Sequence, residues 1–263
     1  MNGILYWYIF VVLALIIWFV LRRFYVGNRP RLPVLLYHKV SGNGNSDNIT
    51  IPVTSLEAQF NYLLSQGYSP VFLNELIKYV HLGRSLPVNP VLITFDGGYR
   101  DNYTIMYPLL KKFGMKANIF LVPSFLQNDT NVSEGGNEYL RIQDLNAIDP
   151  QLVEFGFQSY DNNNYCKLPV EEINNDIGKS KELLQELRVP FQSCIAFPQG
   201  ILPSLNPFKR NRLFETLAAN KIALAFCTGN RVNYLPIRNP YLIQRIEVDG
   251  DGSLEKFIKL LKS

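Results

Sequence analysis

Short apolar runs alternate with amphipathic stretches along most of the chain. The runs "VLLYHK" (34–39), "VLITFD" (91–96), "ANIFLV" (117–122), "EFGFQSY" (154–160), "CIAFP" (194–198), "IALAFCT" (222–228) and "LIQRIEV" (242–248) read as strands. Several are unbroken apolar segments, a pattern that suits strands covered on both faces of a parallel sheet. Helices are predicted at about 54–66, 102–114, 170–188, 210–220 and 253–262. In the third of these, Val170, Ile173, Ile177, Leu184 and Leu187 recur at helical spacing over a polar background. Strand–helix alternation of this kind predicts βα units in an α/β barrel or an open sheet. Two polar segments, "SGNGNSDN" (41–48) and "NDTNVSEGGNEY" (128–139), break the pattern as loops. Both follow strand C-terminal ends, the edge where α/β folds place their sites.

The N-terminus follows a different pattern. Residues 4–21, "ILYWYIFVVLALIIWFVL", carry no charge. As a helix of about 18 residues they reach roughly 27 Å, close to the hydrocarbon thickness of a bilayer. Tryptophans and tyrosines sit near the ends, as in an interfacial belt. A cleaved signal peptide is the alternative, but no basic region precedes the run and no small-x-small site precedes "LRRFYVG". The reading is one transmembrane anchor over residues 1–23, a linker over 24–32 and one domain over 33–263. Arg22, Arg23, Arg29 and Arg31 follow the span and no Lys or Arg precedes it, which favours a cytoplasmic domain by the positive-inside rule.

Composition narrows the function classes. The 263 residues are 47% hydrophobic and 18% charged, enough to bury a sizeable core, and the net charge is +4. Lysines and arginines are scattered, with no basic stripe and no nucleic-acid motif, so nucleic acid is not an expected partner. Cys166, Cys194 and Cys227 do not make a disulfide framework. Cys194 and Cys227 both fall in predicted strands and leave open either one pair or two buried thiols.

Polar residues gather at the strand ends: His38, Asp96, Gln158, Asn162 and the Pro198-Gln199-Gly200 turn. In a parallel sheet these ends lie on one face, the geometry of a binding site. Asp96 before Gly97 and Gly98 admits two roles, a turn carboxylate that accepts local N–H groups or a functional acid. Gln158 and Asn162 are amides suited to hydrogen bonds with the protein or a sugar.

The order "LPVLLYHKVS", "SQGYSPVFLNEL", "VLITFDGGYRDNY", "LLKKFGMKANIFLV", "EFGFQSYDNN", "AFPQG" and "RIEV" resembles the polysaccharide deacetylase family, the NodB-homology or carbohydrate esterase family 4 proteins. The resemblance covers about residues 33–248. It implies a deformed (β/α)7 barrel and metal-dependent removal of acetyl groups from N-acetylated polysaccharides or oligosaccharides. In the family a divalent metal, usually zinc, is held by one aspartate and two histidines. It polarises the acetyl carbonyl and activates water, while a second aspartate is the base.

Placed on that frame, Asp96 matches the base, and the three ligand positions are Gly97, Gln158 and Asn162. None of the three supplies the carboxylate or imidazole that the family uses, so no zinc or other divalent cofactor is expected. The arginine or tyrosine of the family's third signature is Ala196 or Phe197 here, and its tyrosine is Gln199, whose backbone N–H remains a donor. The resemblance also places His38, Tyr99, Pro198 and Gln199 beside the sugar. "LIQRIEV" replaces the family's later Leu-x-x-His signature with Gln244 and Arg245. The expected function is a membrane-anchored, deacetylase-like glycan-binding or partner subunit. The alternatives are a metal-independent hydrolase using Asp96 and His38, and a structural component of a membrane complex. Family substrates lie outside the cytoplasmic membrane, which favours an extracytoplasmic domain against the arginine count.

Overall fold

The computed structural model describes residues 2–27, 29–127, 138–202 and 206–262. Seven parallel strands close on themselves: β1 (Val34–Tyr37), β2 (Pro90–Gly97), β3 (Ala117–Leu121), β4 (Val153–Phe157), β5 (Cys194–Ala196), β6 (Leu224–Thr228) and β7 (Ile243–Glu247). Closure comes at β1, which pairs β2 through Val34↔Leu92 and Tyr37↔Phe95 and β7 through Leu35↔Ile246. All seven predicted strands are present, and the closed ring decides for a barrel over an open sheet.

Each strand sends alternate side chains inward and outward. Leu92, Phe120, Cys194, Ala196, Leu224, Phe226 and Ile243 fill the barrel. The other set, among them Ile93, Phe95, Ile119, Phe155, Ile195 and Cys227, packs under the helices. Cys194 and Cys227 therefore face opposite sides of the sheet, and both are free thiols.

The helices are α1 (Asn2–Gly27), α2 (Val53–Ser65), α3 (Leu73–Leu82), α4 (Tyr107–Phe113), α5 (Ile142–Ala147), α6 (Val170–Glu186), α7 (Pro207–Ala219) and α8 (Leu254–Leu260). On α6 the expected stripe is buried at Val170, Ile173, Ile177 and Leu184. The segment predicted as one helix over 102–114 divides: Asn102–Met106 forms π turns and α4 follows. Pro108 has no N–H to give to the carbonyl four residues back, and the helix widens just before it.

Two helices are absent from the sequence reading, α3 and α5. Both are short, and an acid caps each: Glu75 accepts the Phe72 N–H and Asp144 accepts the Arg141 N–H. α3 lies across the N-terminal ends of the strands and floors the barrel. Its first N–H groups go to interior side chains, Leu73 to Asn118 and Asn74 to Glu154, and at its far end His81 bonds the Ala223 carbonyl.

On α1 the described side chains are those of residues 6–19; nearly all are exposed, from Tyr6 through Phe19. Among the described residues no helix is long and apolar enough to cross a membrane. Of the expected span over residues 4–21, the helix backbone is described throughout and the side chains over 6–19. Of the loop expected over 128–139, only Glu138 and Tyr139 lie among the described residues.

Candidate functional site

The inward register of β2 and β7 brings Asp96 and Arg245 together inside the barrel. Arg245 donates Nη1 to Asp96 Oδ1 at 2.6 Å and Nη2 to Oδ2 at 2.9 Å. This is the two-pronged geometry in which guanidinium and carboxylate match best. Both groups are buried, Asp96 at 3% exposure and Arg245 at 0%. Below the pair lies the Phe120 ring, 5.7 Å from the guanidinium carbon. Gly156 makes room for that ring, since a Cβ at 156 would stand 2.6 Å from it. Arg245 Nε is buried without a partner. Each carboxylate oxygen of Asp96 is engaged, and the acid is out of reach of solvent.

Next to the pair, Gly97 adopts φ +94°, a conformation that side chains disfavour. A Cβ there would stand 2.8 Å from Tyr99 Cε2. The Tyr99 ring therefore covers the place where a residue-97 side chain would emerge. That ring is held by a stack on Tyr139 (centroids 5.3 Å apart, 24° between planes), and Lys39 Nζ lies 5.6 Å from its centroid. Burial first, then Tyr139 and nearby acids, push the Tyr99 hydroxyl up to about 12. The backbone ties the same two segments together through Arg100 N–H to Glu138 O and Leu140 N–H to Gly98 O.

His38 stands at the end of β1, half-buried. Burial lowers its pKa; Asp96 opposes that shift and Arg245 adds to it, so the ring is neutral at pH 7. Its carbonyl accepts Asn102 Nδ2, which also donates to Asp101 Oδ1. Burial raises the Asp101 carboxyl to about 6.

Gln158 follows β4, 4% exposed, with its N–H on the Leu121 carbonyl. Asn162 is separated from it: it is exposed, at φ +54°, on the following loop. Pro198 is buried, while Gln199 is exposed and accepts Asn164 Nδ2 at 2.6 Å. The barrel thus gathers His38, Asp96 and Gln158 at its inner mouth, and leaves Asn162 and Gln199 on the rim.

Two residues of the site carry little signal in the sequence. Arg245 shows there only as a departure from the family's later motif. Asp176 on α6 is 8% exposed and accepts the Tyr160 N–H at 2.9 Å and the Tyr165 hydroxyl at 2.6 Å, which fixes the loop after β4. Its sequence signal is an acid on the inner face of α6, one position before Ile177.

The residues do not fit the zinc site that the resemblance implies. Gly97 supplies no donor, Gln158 is a neutral amide, and Asn162 is a neutral amide exposed on the loop after β4. The neighbouring acid already has a cation in Arg245. Among the described residues, no three His, Cys, Asp or Glu side chains group closely enough to hold a metal ion.

The polysaccharide deacetylase family model matches residues 83–206. YxkH of Bacillus subtilis, which carries a polysaccharide deacetylase name, is 29% identical over 170 residues, 65% of this chain and 57% of that protein. Just over half of that relative's length is therefore matched. A poly-beta-1,6-N-acetyl-D-glucosamine N-deacetylase of Staphylococcus aureus is 25% identical over 224 residues, 81% of this chain and 72% of its own. Among solved structures, the Streptococcus pyogenes deacetylase PplD in complex with acetate superposes with TM-score 0.71 at 18% identity, covering 90% of this chain and all of that one. IcaB from Ammonifex degensii gives 0.72 at 22% identity, covering 89% of this chain and 98% of its own. These likenesses show the fold, a (β/α)7 deacetylase barrel. The family-model match, which includes the signature around Asp96, marks residues 83–206 as a polysaccharide deacetylase domain.

Proposed function

We propose that this protein is a membrane-anchored, deacetylase-like subunit that binds N-acetylated polysaccharide at the mouth of its barrel and does not run the family's metal-dependent hydrolysis. The observation that carries this reading is the Arg245–Asp96 fork. A base must accept a proton from water next to the substrate. Here the acid at the base position is buried and bonded through both oxygens, and Tyr99 covers the adjoining ligand position. The same burial argues against a metal-independent hydrolysis that relies on Asp96.

Glycan binding draws support from the named substrate of the Staphylococcus aureus relative and from the rim itself. Tyr99 stacks on Tyr139, Phe125 lies tilted against Tyr139, and the loops after the strands carry the amides of Gln127, Asn164 and Gln199, the aromatic faces and directed polar groups that ligand sites use. The anchor draws support from the uncharged run 4–21 and from the exposure of the apolar side chains described over residues 6–19 of α1. A polysaccharide ligand puts the domain outside the cytoplasmic membrane, and a C-terminal reporter fusion active on only one side tests that placement.

The central experiment uses the purified full chain with β-1,6-linked N-acetylglucosamine oligomers. The expected result is saturable binding, no acetate release and zinc well below one equivalent. Stoichiometric zinc with acetate release overturns the proposal. Absence of binding favours a structural role in a membrane complex.

A further inference from the structure

The floor of the barrel, opposite the mouth, carries one hollow, and a second adjoins it and runs up the flank beside β7; the proposed function uses neither. One is an apolar groove of about 750 Å³, walled by Tyr79, Leu86, Pro87, Val88, Leu235 and Pro236. Val88 at its edge is 81% exposed, and Leu82 at the end of α3 is 68% exposed. The second hollow, about 460 Å³, is lined by Arg29, Arg231 and Arg238 with no Asp or Glu in its wall. Arg29 borders both. Its guanidinium is held at this junction by the Leu235 carbonyl at 3.4 Å and the Tyr234 ring at 5.6 Å. Lys78 and Arg84 add exposed cations beside the groove. The acids of the floor are engaged, Glu75 with Lys116 and Glu154 with the Asn74 N–H.

Arg29 lies two residues after the end of α1. Whatever surface takes up the apolar helix therefore lies within a short tether of this floor. Exposed aliphatic side chains beside arginines with no salt bridge among the described residues match the boundary of an anionic bilayer, where acyl chains meet phosphates. Guanidinium forks suit phosphate oxygens better than lysine does.

We propose that the barrel floor is a membrane-docking surface: Leu82, Leu86 and Val88 enter the interface while Arg29 and Arg238, with Lys78 and Arg84, bind anionic headgroups of the bilayer that takes α1. This rests on the anchor reading and extends it. Docked in this way, the barrel stands upright and its mouth, with Tyr99 and Gln199, faces away from the lipid.

The test places an environment-sensitive fluorophore on the full chain, in a Cys166→Ser background, at Val88→Cys, at Phe208→Cys as a mouth-side control, or at Val12→Cys in α1. Phe208 is 82% exposed and lies at the start of α7, after the C-terminal end of β5. The protein is reconstituted in phosphatidylcholine vesicles with or without about 30% phosphatidylglycerol, each carrying a shallow or deep lipid quencher. The expected result is shallow quenching at residue 88, at least about twofold stronger with the anionic lipid, and none at residue 208. Substituting Arg29, Lys78, Arg84 and Arg238 by glutamine removes the anionic enhancement. Deep quenching at residue 12 without quenching at 88 overturns the docking surface and leaves the anchor standing. No quenching at residue 12 overturns the anchor itself. Energy transfer between labels at residue 88 that persists on dilution into excess lipid assigns the floor to a second copy of the chain and also overturns the proposal.

Discussion

Arg245 and Asp96, 149 residues apart in the chain, meet as a two-pronged ion pair inside the barrel. A buried pair of this kind contributes little beyond what a well-packed apolar pair would, yet removing one partner strands the other charge. Arg245→Met is expected to destabilise the domain by about 3–5 kcal/mol. In a domain of this size that lowers the melting temperature by on the order of 10 °C. The double variant Asp96→Asn/Arg245→Met is expected to recover most of the loss. Thermal melts of the four proteins of the cycle check it; additive effects would mean that the two side chains are not coupled.

Restoring the missing acid at residue 97 is not expected to restore a metal site. Gly97→Asp puts a side chain at φ +94° against the Tyr99 ring. The expected outcome is a loss of roughly 1–3 kcal/mol with no gain in zinc content. Adding Tyr99→Ala relieves the collision and leaves only the backbone strain. Chemical denaturation and metal analysis of both variants test this.

Asp101 carries a pH signature. Burial raises its carboxyl from 3.8 to about 6 in the folded protein. Its contribution to stability is therefore fully present below about pH 4 and lost as pH rises through about 6. Asp101→Asn cannot ionise and keeps an oxygen to accept the Asn102 amide. It is expected to be more stable than the parent by roughly 1–3 kcal/mol at pH 7.5, with the difference closing towards pH 4. Paired melts at the two pH values measure it.

Asp176 holds the loop that follows β4. Asp176→Ala leaves the Tyr160 N–H and the Tyr165 hydroxyl without their acceptor. A loss of roughly 1–3 kcal/mol is expected. Hydrogen exchange should speed up over residues 160–166 and not in β2 or β3. Weaker oligosaccharide binding would further tie this loop to the rim.

The strands were legible because each is a run of β-formers covered on both faces, a signal that needs no partner to be read. α5 was hidden by its length, six residues whose clearest mark is the capping acid Asp144, whereas α3 was open to reading, since Leu73, Leu76, Ile77 and Val80 recur at helical spacing beside the capping acid Glu75. Asn162 looked like a partner of Gln158 because the two are four residues apart in a known motif. β4 ends at Phe157, and the chain then turns on Asp176, which carries Asn162 out to solvent. The loss of donor chemistry at Gly97 could be read directly from the sequence. What filled the space could not, because Tyr99 and Arg245 arrive through a stack and a strand register that exist only once the barrel closes.

That closure also bears on how the chain is made. Asp96 lies on the second strand of the barrel and Arg245 on the last, on either side of β1. On the ribosome, the acid emerges long before the arginine that neutralises it. Until β7 arrives, a partly assembled sheet has a bare carboxylate where its interior should be dry. Completion of the barrel thereby waits for the synthesis of β7, and a chain cut short before residue 245 keeps a charge it has no means of burying.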